Sequence, residues 1–179
     1  MSIRRIMIMG SAGSGKSTLA RALSEKTGIE AIHLDSVFWK PGWIMSEKQE
    51  QIQIHDVLME KDAWIIEGNY CANIEKRAQK ADLAIYLDMP LAQCMYRVIK
   101  RYLLNRGKSR PDMAEGCPEK IDIEFIKYIL YYHREKKYEH LDLLHKYADY
   151  DKIIMLSGTD HINRFLDTFS GDWSMKSTA

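Results

Sequence analysis

Residues Gly10-Ser11-Ala12-Gly13-Ser14-Gly15-Lys16-Ser17-Thr18 fit the pattern G-x-x-x-x-G-K-[ST], and no other stretch restricts the possible folds as tightly. The apolar run Ile6-Met7-Ile8-Met9 precedes it and the helix-forming Leu19-Ala20-Arg21-Ala22-Leu23 follows it, which is the strand-loop-helix context that a phosphate loop requires. Glycines let successive backbone N–H groups turn toward one centre, at the positive end of the following helix, and so form an anion nest. Lys16 is then placed for the β- and γ-phosphates of ATP, and the Ser17 hydroxyl for Mg2+.

Strand and helix alternate along the rest of the chain. Ile3 to Met9 reads as a buried strand, followed by a helix from Gly15 to Lys26 that Gly28 closes. Glu30 to Leu34 is a second strand ending at Asp35. Phe38 to Trp43 is expected to be irregular around Pro41-Gly42, and Ser46 to Lys61 an amphipathic helix with Ser46 as N-cap. Further strands are expected at Ala63–Ile66, Leu83–Leu87 and Lys152–Leu156. Helices are expected at 73–80, after Pro90, over 121–147 and over 160–169. The segment 105–118, with Gly107, Pro111, Gly116 and Pro118, reads as a mobile loop. This alternation predicts an α/β fold with a parallel sheet covered by helices on both faces, and 179 residues suit a single domain, 1–179.

Ligands of such sheets collect at the carboxyl ends of the strands. The acids there are Glu67, expected either to hold the magnesium shell through water or to cap a turn, and Asp35, either a general base toward an acceptor hydroxyl or an Asx-turn residue. Asp88 reads as a helix-start residue. Arg97, Lys100, Arg101, Arg106, Lys108 and Arg110 form a basic run without an acid. Arg97 and Arg101 are four apart on one helix face and are expected to converge on one polyphosphate, as a closing lid demands. The competing reading is a nucleic-acid surface, which the charge permits and the scarcity of aromatics opposes. Trp39 and Trp43 wall an acceptor pocket or cover the sheet edge; His33 and His133 read as structural. Cys117 is expected to be the exposed cysteine.

Lys+Arg 26 against Asp+Glu 25 is not the balance of a chain built around a polyanion. No apolar run approaches a membrane span, and three cysteines without C-x-x-C spacing suit neither a disulfide framework nor a zinc site. The expected setting is the reducing cytoplasm. Nothing in the residues sets the oligomeric state.

The phosphate loop, His33-Leu34-Asp35, Phe38 to Trp43, Trp64 to Tyr70, Asp88-Met89-Pro90, Arg110 to Met113 and Gly116 to Lys120 together resemble the topology-modulation (FlaR-like) proteins of the adenylate-kinase-like phosphate-loop superfamily. The resemblance implies a five-stranded sheet in the order 2-3-1-4-5, a lid after the fourth strand, and transfer of the ATP γ-phosphate to a small molecule. It also implies that Arg97 packs on the nucleotide while Arg101 contacts its phosphates. The arginines that hold a nucleoside monophosphate in adenylate kinases have no counterpart here: Cys71 stands where one belongs, with Arg77 or Lys40 as possible substitutes.

Overall fold

The computed structural model describes residues 3–170. Residues 1–2 and 171–179, which the single-domain expectation included, lie outside the described residues. Five parallel strands form the central sheet: β1 (Arg5–Gly10), β2 (Ala31–His33), β5 (Trp64–Glu67), β6 (Leu83–Leu87) and β7 (Ile153–Leu156), in the order β2-β5-β1-β6-β7. Counted by sheet strands alone, this is the expected order 2-3-1-4-5. The register sets Ile8 of β1 beside Glu67 and Gly10 beside Leu87, so the ends of the strands that carry the phosphate loop and Glu67 are adjacent.

The continuous apolar runs follow from burial on both faces. Ile6 and Ile8 point to one side, against Leu19 and Leu23 of α1 (Lys16–Thr27) and Phe165 of α8 (Thr159–Thr168). Met7 and Met9 point to the other, sharing a core with Ile74 of α4 (Ile74–Lys80) and Leu144 of α7 (Lys137–Tyr147). The remaining elements are α2 (Leu34–Phe38), the two-stranded hairpin β3 (Trp39–Lys40) and β4 (Ile44–Met45), α3 (Lys48–Met59), α5 (Leu91–Asn105) and α6 (Ile123–Tyr131). Among the described residues no helix is long and apolar enough to cross a membrane.

Several local expectations are corrected. β2 stops at His33, so Asp35 sits in the first turn of α2 and not at a strand end. The stretch 38–43 is partly regular: Trp39 and Lys40 pair with Met45 and Ile44 around the Pro41-Gly42-Trp43 turn. Ser46 does not cap α3: Glu47 holds the cap position, and the Ser46 backbone N–H donates to the Phe38 carbonyl at 2.8 Å. The helix expected over 121–147 is broken by one π-helical turn, Tyr132–Lys136. There the buried Tyr132 hydroxyl lies 3.1 Å from both Tyr86 Oη and His140 Nδ1, and the extra residue per turn accommodates that inward reach. Asp88 does not start α5; its carboxylate pairs with Lys137 at 2.7 Å. Cys117 is buried and donates to the Lys40 carbonyl at 3.2 Å, whereas Cys71 is exposed.

Candidate functional site

The loop between β1 and α1 takes its shape from close approach as well as from glycine's conformational freedom. Gly13 has φ +76°, and a Cβ there would lie 2.4 Å from the Cys94 carbonyl of α5; at Gly10, φ +146°, it would lie 2.7 Å from the Leu87 carbonyl. No larger residue fits either place without moving backbone. Asn69 then holds the loop's first peptide from both sides: its amide donates to the Gly10 carbonyl at 2.7 Å and its Oδ1 accepts from the Gly10 N–H at 3.2 Å. The Ser14 N–H returns to Ser11 at 3.1 Å, and Gly15 stands at the N-cap of α1, ahead of Lys16, Ser17 and Thr18.

Two cations reach this loop. Lys16 donates through Nζ to the Ser11 carbonyl at 3.0 Å. Arg97 donates through its two terminal nitrogens to the Ser14 carbonyl and the Thr159 hydroxyl, each at 2.9 Å. Ser17 donates its hydroxyl to Glu67 Oε1 at 2.9 Å, and His33 Nδ1 lies at the same distance from that oxygen. Burial works to raise the Glu67 pKa, but the His33 hydrogen bond, Lys16 and Ser17 together hold it below the ordinary carboxylate range. Among the described residues neither contact uses Oε2 of Glu67. His33, read from the sequence as structural, is thus part of the site, because the register sets it beside Glu67; its place near the end of an apolar strand was the signal available.

A cavity of about 860 Å³ is lined by the loop, Glu67 and Asp35 together with Trp39, Trp43, Tyr70 and Tyr128. Asp35 accepts from the Tyr70 hydroxyl at 2.7 Å. Burial and the nearby Glu67 carboxylate push its pKa up, against the Tyr70 hydrogen bond and Lys16.

The segment expected to be a mobile loop is docked over this cavity. Gly42 N–H donates to Gly116 at 2.9 Å, the Trp43 indole donates to Pro118 at 3.1 Å, and Met113, Ala114 and Cys117 pack on Trp39 and Trp43. Arg101 does not join Arg97 at the loop. It binds Glu119 Oε1 through Nε and Nη2, each at 2.9 Å, because Glu119 is buried and requires a counter-charge. Arg110 pairs with the other Glu119 oxygen at 2.5 Å and with Asp112 at 2.7 Å. Of the basic run Lys100, Arg106 and Lys108 are exposed, whereas Arg97, Arg101 and Arg110 line the cavity. Neither substitute arginine-equivalent reaches the cavity: Arg77 is buried and donates to the Gly68 carbonyl at 2.9 Å, and Lys40 pairs outward with Glu50 at 2.8 Å.

Among the described residues no group of three or more His, Cys, Asp or Glu could hold a metal. One hydroxyl and one ionised carboxylate suit Mg2+, which keeps several waters and takes phosphate oxygens for the remainder of its shell.

Residues 6–127 match the AAA domain family. Over 108 residues the chain is 33% identical to the cytidylate kinase of Thermococcus kodakarensis, covering 54% of this chain and 56% of that protein. It is 29% identical, also over 108 residues, to the uncharacterized protein YqaC of Bacillus subtilis (strain 168), covering 55% and 59%. The chain therefore spans little more than half the length of these relatives. The shikimate kinase of Acinetobacter baumannii in complex with shikimate superposes with a TM-score of 0.62 at 13% identity, over 92% of this chain and 89% of that one. At that identity the likeness is one of fold. The likenesses support a kinase-like phosphate-loop NTPase and stop short of the narrower topology-modulation family.

Proposed function

We propose that this chain, which belongs to the AAA domain family, transfers the γ-phosphoryl group of ATP, with Mg2+, to a hydroxyl of a small-molecule acceptor. One observation carries this reading. Lys16 and Arg97 meet at the phosphate loop on carbonyl and hydroxyl oxygens, and they line one cavity with the Asp35 carboxyl group, whose pKa is raised. Gly10 through Thr18 would cradle the phosphates with backbone N–H groups, and Lys16 and Arg97 would balance the charge that builds on the transferring group. Ser17 and Glu67 would hold Mg2+, whose contribution when bound is to neutralise phosphate oxygens. Asp35 would take the acceptor's proton as the acceptor oxygen forms its bond to phosphorus and the bond to the β-phosphate oxygen breaks, releasing ADP. Arg101 can reach phosphate only by leaving Glu119, so its part belongs to lid movement.

Incubation with magnesium ATP and a panel of hydroxy compounds, following ADP release, tests the reading. An acceptor that stimulates release in the parent protein and not in Lys16→Ala supports it. Equal, slow release with every compound reduces the protein to an ATPase, and undiminished ATP binding by Lys16→Ala removes the site altogether.

A further inference from the structure

The docked segment after α5 brings an acid of its own to the phosphate loop. Asp112 is buried, pairs with Arg110 at 2.7 Å and Arg21 at 3.9 Å, and lies within hydrogen-bond reach of the Ser17 hydroxyl. Glu67, at the end of β5, is buried too and meets the same hydroxyl at 2.9 Å. Two carboxylates from distant parts of the chain therefore converge on one hydroxyl group.

That hydroxyl has a single proton for the two of them. With the proton given to Glu67, Asp112 faces the lone pairs of the Ser17 oxygen, acceptor against acceptor, at a buried position where such an approach is costly. A proton on Asp112 would relieve the contact, but the Arg110 guanidinium at 2.7 Å favours the ionised form. Lys16 does not resolve it either, because its ammonium rests on the Ser11 carbonyl at 3.0 Å. What satisfies two carboxylates and a hydroxyl oxygen together is a small divalent cation, which takes oxygen donors of these kinds and completes its shell with water and phosphate.

Asp112 is also tied to its segment. Its neighbour Met113 packs with Ala114 and Cys117 on Trp39 and Trp43, and Gly116 accepts from the Gly42 N–H at 2.9 Å. The carboxylate reaches Ser17 only while the segment is docked.

We infer that Asp112 is a further carboxylate of the Mg2+ shell, delivered by the lid, so that the ion ties the docked lid to the phosphate loop. This deepens the phosphotransferase reading and rests on it for the ion's place at Ser17 and Glu67. Phosphates arriving without metal bring negative charge against Asp112 and push the segment away; with the ion present the same carboxylate becomes a donor and the segment settles. Lid docking thereby distinguishes the metal complex of ATP from free ATP, and metal and lid favour each other reciprocally.

Amide hydrogen exchange across 108–118 tests this coupling in the parent protein, with an ATP analogue whose β- and γ-phosphates are joined by an imido bridge. Exchange should quicken when the analogue binds alone and slow again when Mg2+ is added; equal rates with and without metal overturn the proposal. The ion itself is read with Mn2+, by loss of the free-ion paramagnetic resonance signal in the presence of the analogue, in variants first shown to melt cooperatively. Asp112→Asn should hold Mn2+ about tenfold more weakly than the parent, and Asp112→Glu should recover part of that loss. Glu115→Gln, which alters an exposed acid of the same segment, should match the parent. Asp112→Asn holding Mn2+ as tightly as the parent overturns the proposal. So does equal strengthening of analogue binding with and without metal, which would make Asp112 a plug in the phosphate's place. A parent protein that adds nothing to the analogue's own Mn2+ affinity removes the phosphotransferase reading along with this one, whereas a weakened Glu67→Gln beside an unchanged Asp112→Asn removes only this one.

Discussion

The phosphate loop and the lid segment both bring cations to the cavity, but they hold them differently. At the loop, Lys16 and Arg97 rest on carbonyl and hydroxyl oxygens that an incoming polyanion can replace at little cost. At the lid, Arg101 and Arg110 are committed to buried carboxylates, and removing one member of such a pair leaves an uncompensated charge. The first arrangement awaits a ligand; the second is already complete and serves to shape a wall. Counting basic residues therefore says less than asking what each one touches.

The largest expected effect falls on the loop. Lys16→Ala should lower turnover by roughly 10³-fold, within the range for loss of one cation from the transferring phosphate, in steady-state ADP release. Asp35→Asn should cost about 10²-fold in acceptor-dependent turnover, with ATP binding by calorimetry unchanged; a matching loss of ATP binding would make Asp35 a nucleotide-site residue and not the acceptor's base. The pH profile sharpens this point. Because the Asp35 pKa is raised and the ionised form is the base, acceptor-dependent kcat/KM should rise with pH through a limb above the ordinary aspartate value of about 3.9, and Asp35→Asn should lack that limb. Glu67→Gln should weaken the response to added Mg2+ by about 10-fold, measured as the half-saturating metal concentration.

A separate effect, on stability and not on turnover, concerns the packing behind Phe38 and Tyr70. His55 lies against Phe38 of α2, with ring centroids 4.9 Å apart, and His140 lies 3.4 Å from Cys71 Sγ, one residue beyond Tyr70. Burial lowers the pKa of His55 to about 3 and that of His140 to about 4. Unfolded histidines titrate near 6.5, so below that pH the unfolded chain binds more protons and stability falls as pH falls toward those folded-state values, by about 1.4 kcal/mol per pH unit for each fully coupled histidine. Urea midpoints at pH 7 and pH 5 should show the loss, and His55→Leu should recover part of it.

The difference between the two ends also explains what the sequence could tell. The loop is contiguous, so its position was legible from its glycines and the flanking strand and helix, although Asn69, Leu87 and Cys94 complete its shape from afar; the strand order came with the family resemblance. The wall depends on pairs some 75 residues apart, Gly42 with Gly116 and Trp43 with Pro118, and on Glu119 turning Arg101 away from its helix neighbour Arg97. Helical spacing put Arg97 and Arg101 on one face correctly, but it carried no information about which acid would fold over the second. Asp35 was displaced for a similar reason: Leu34 and Phe38 bury themselves as one helical turn, which tertiary packing decided and a five-residue pattern could not.

Titration calorimetry with inorganic triphosphate tests the contrast most directly, comparing the parent protein with Arg97→Ala and Arg110→Ala, each first shown to melt cooperatively. One triphosphate should bind per chain; Arg97→Ala should weaken it at least tenfold, and Arg110→Ala, which leaves Asp112 unpaired beside Ser17, by a clearly smaller factor. Equal losses in both variants would mean that the lid's cations await an anion as the loop's do, and the division between the two ends would fail.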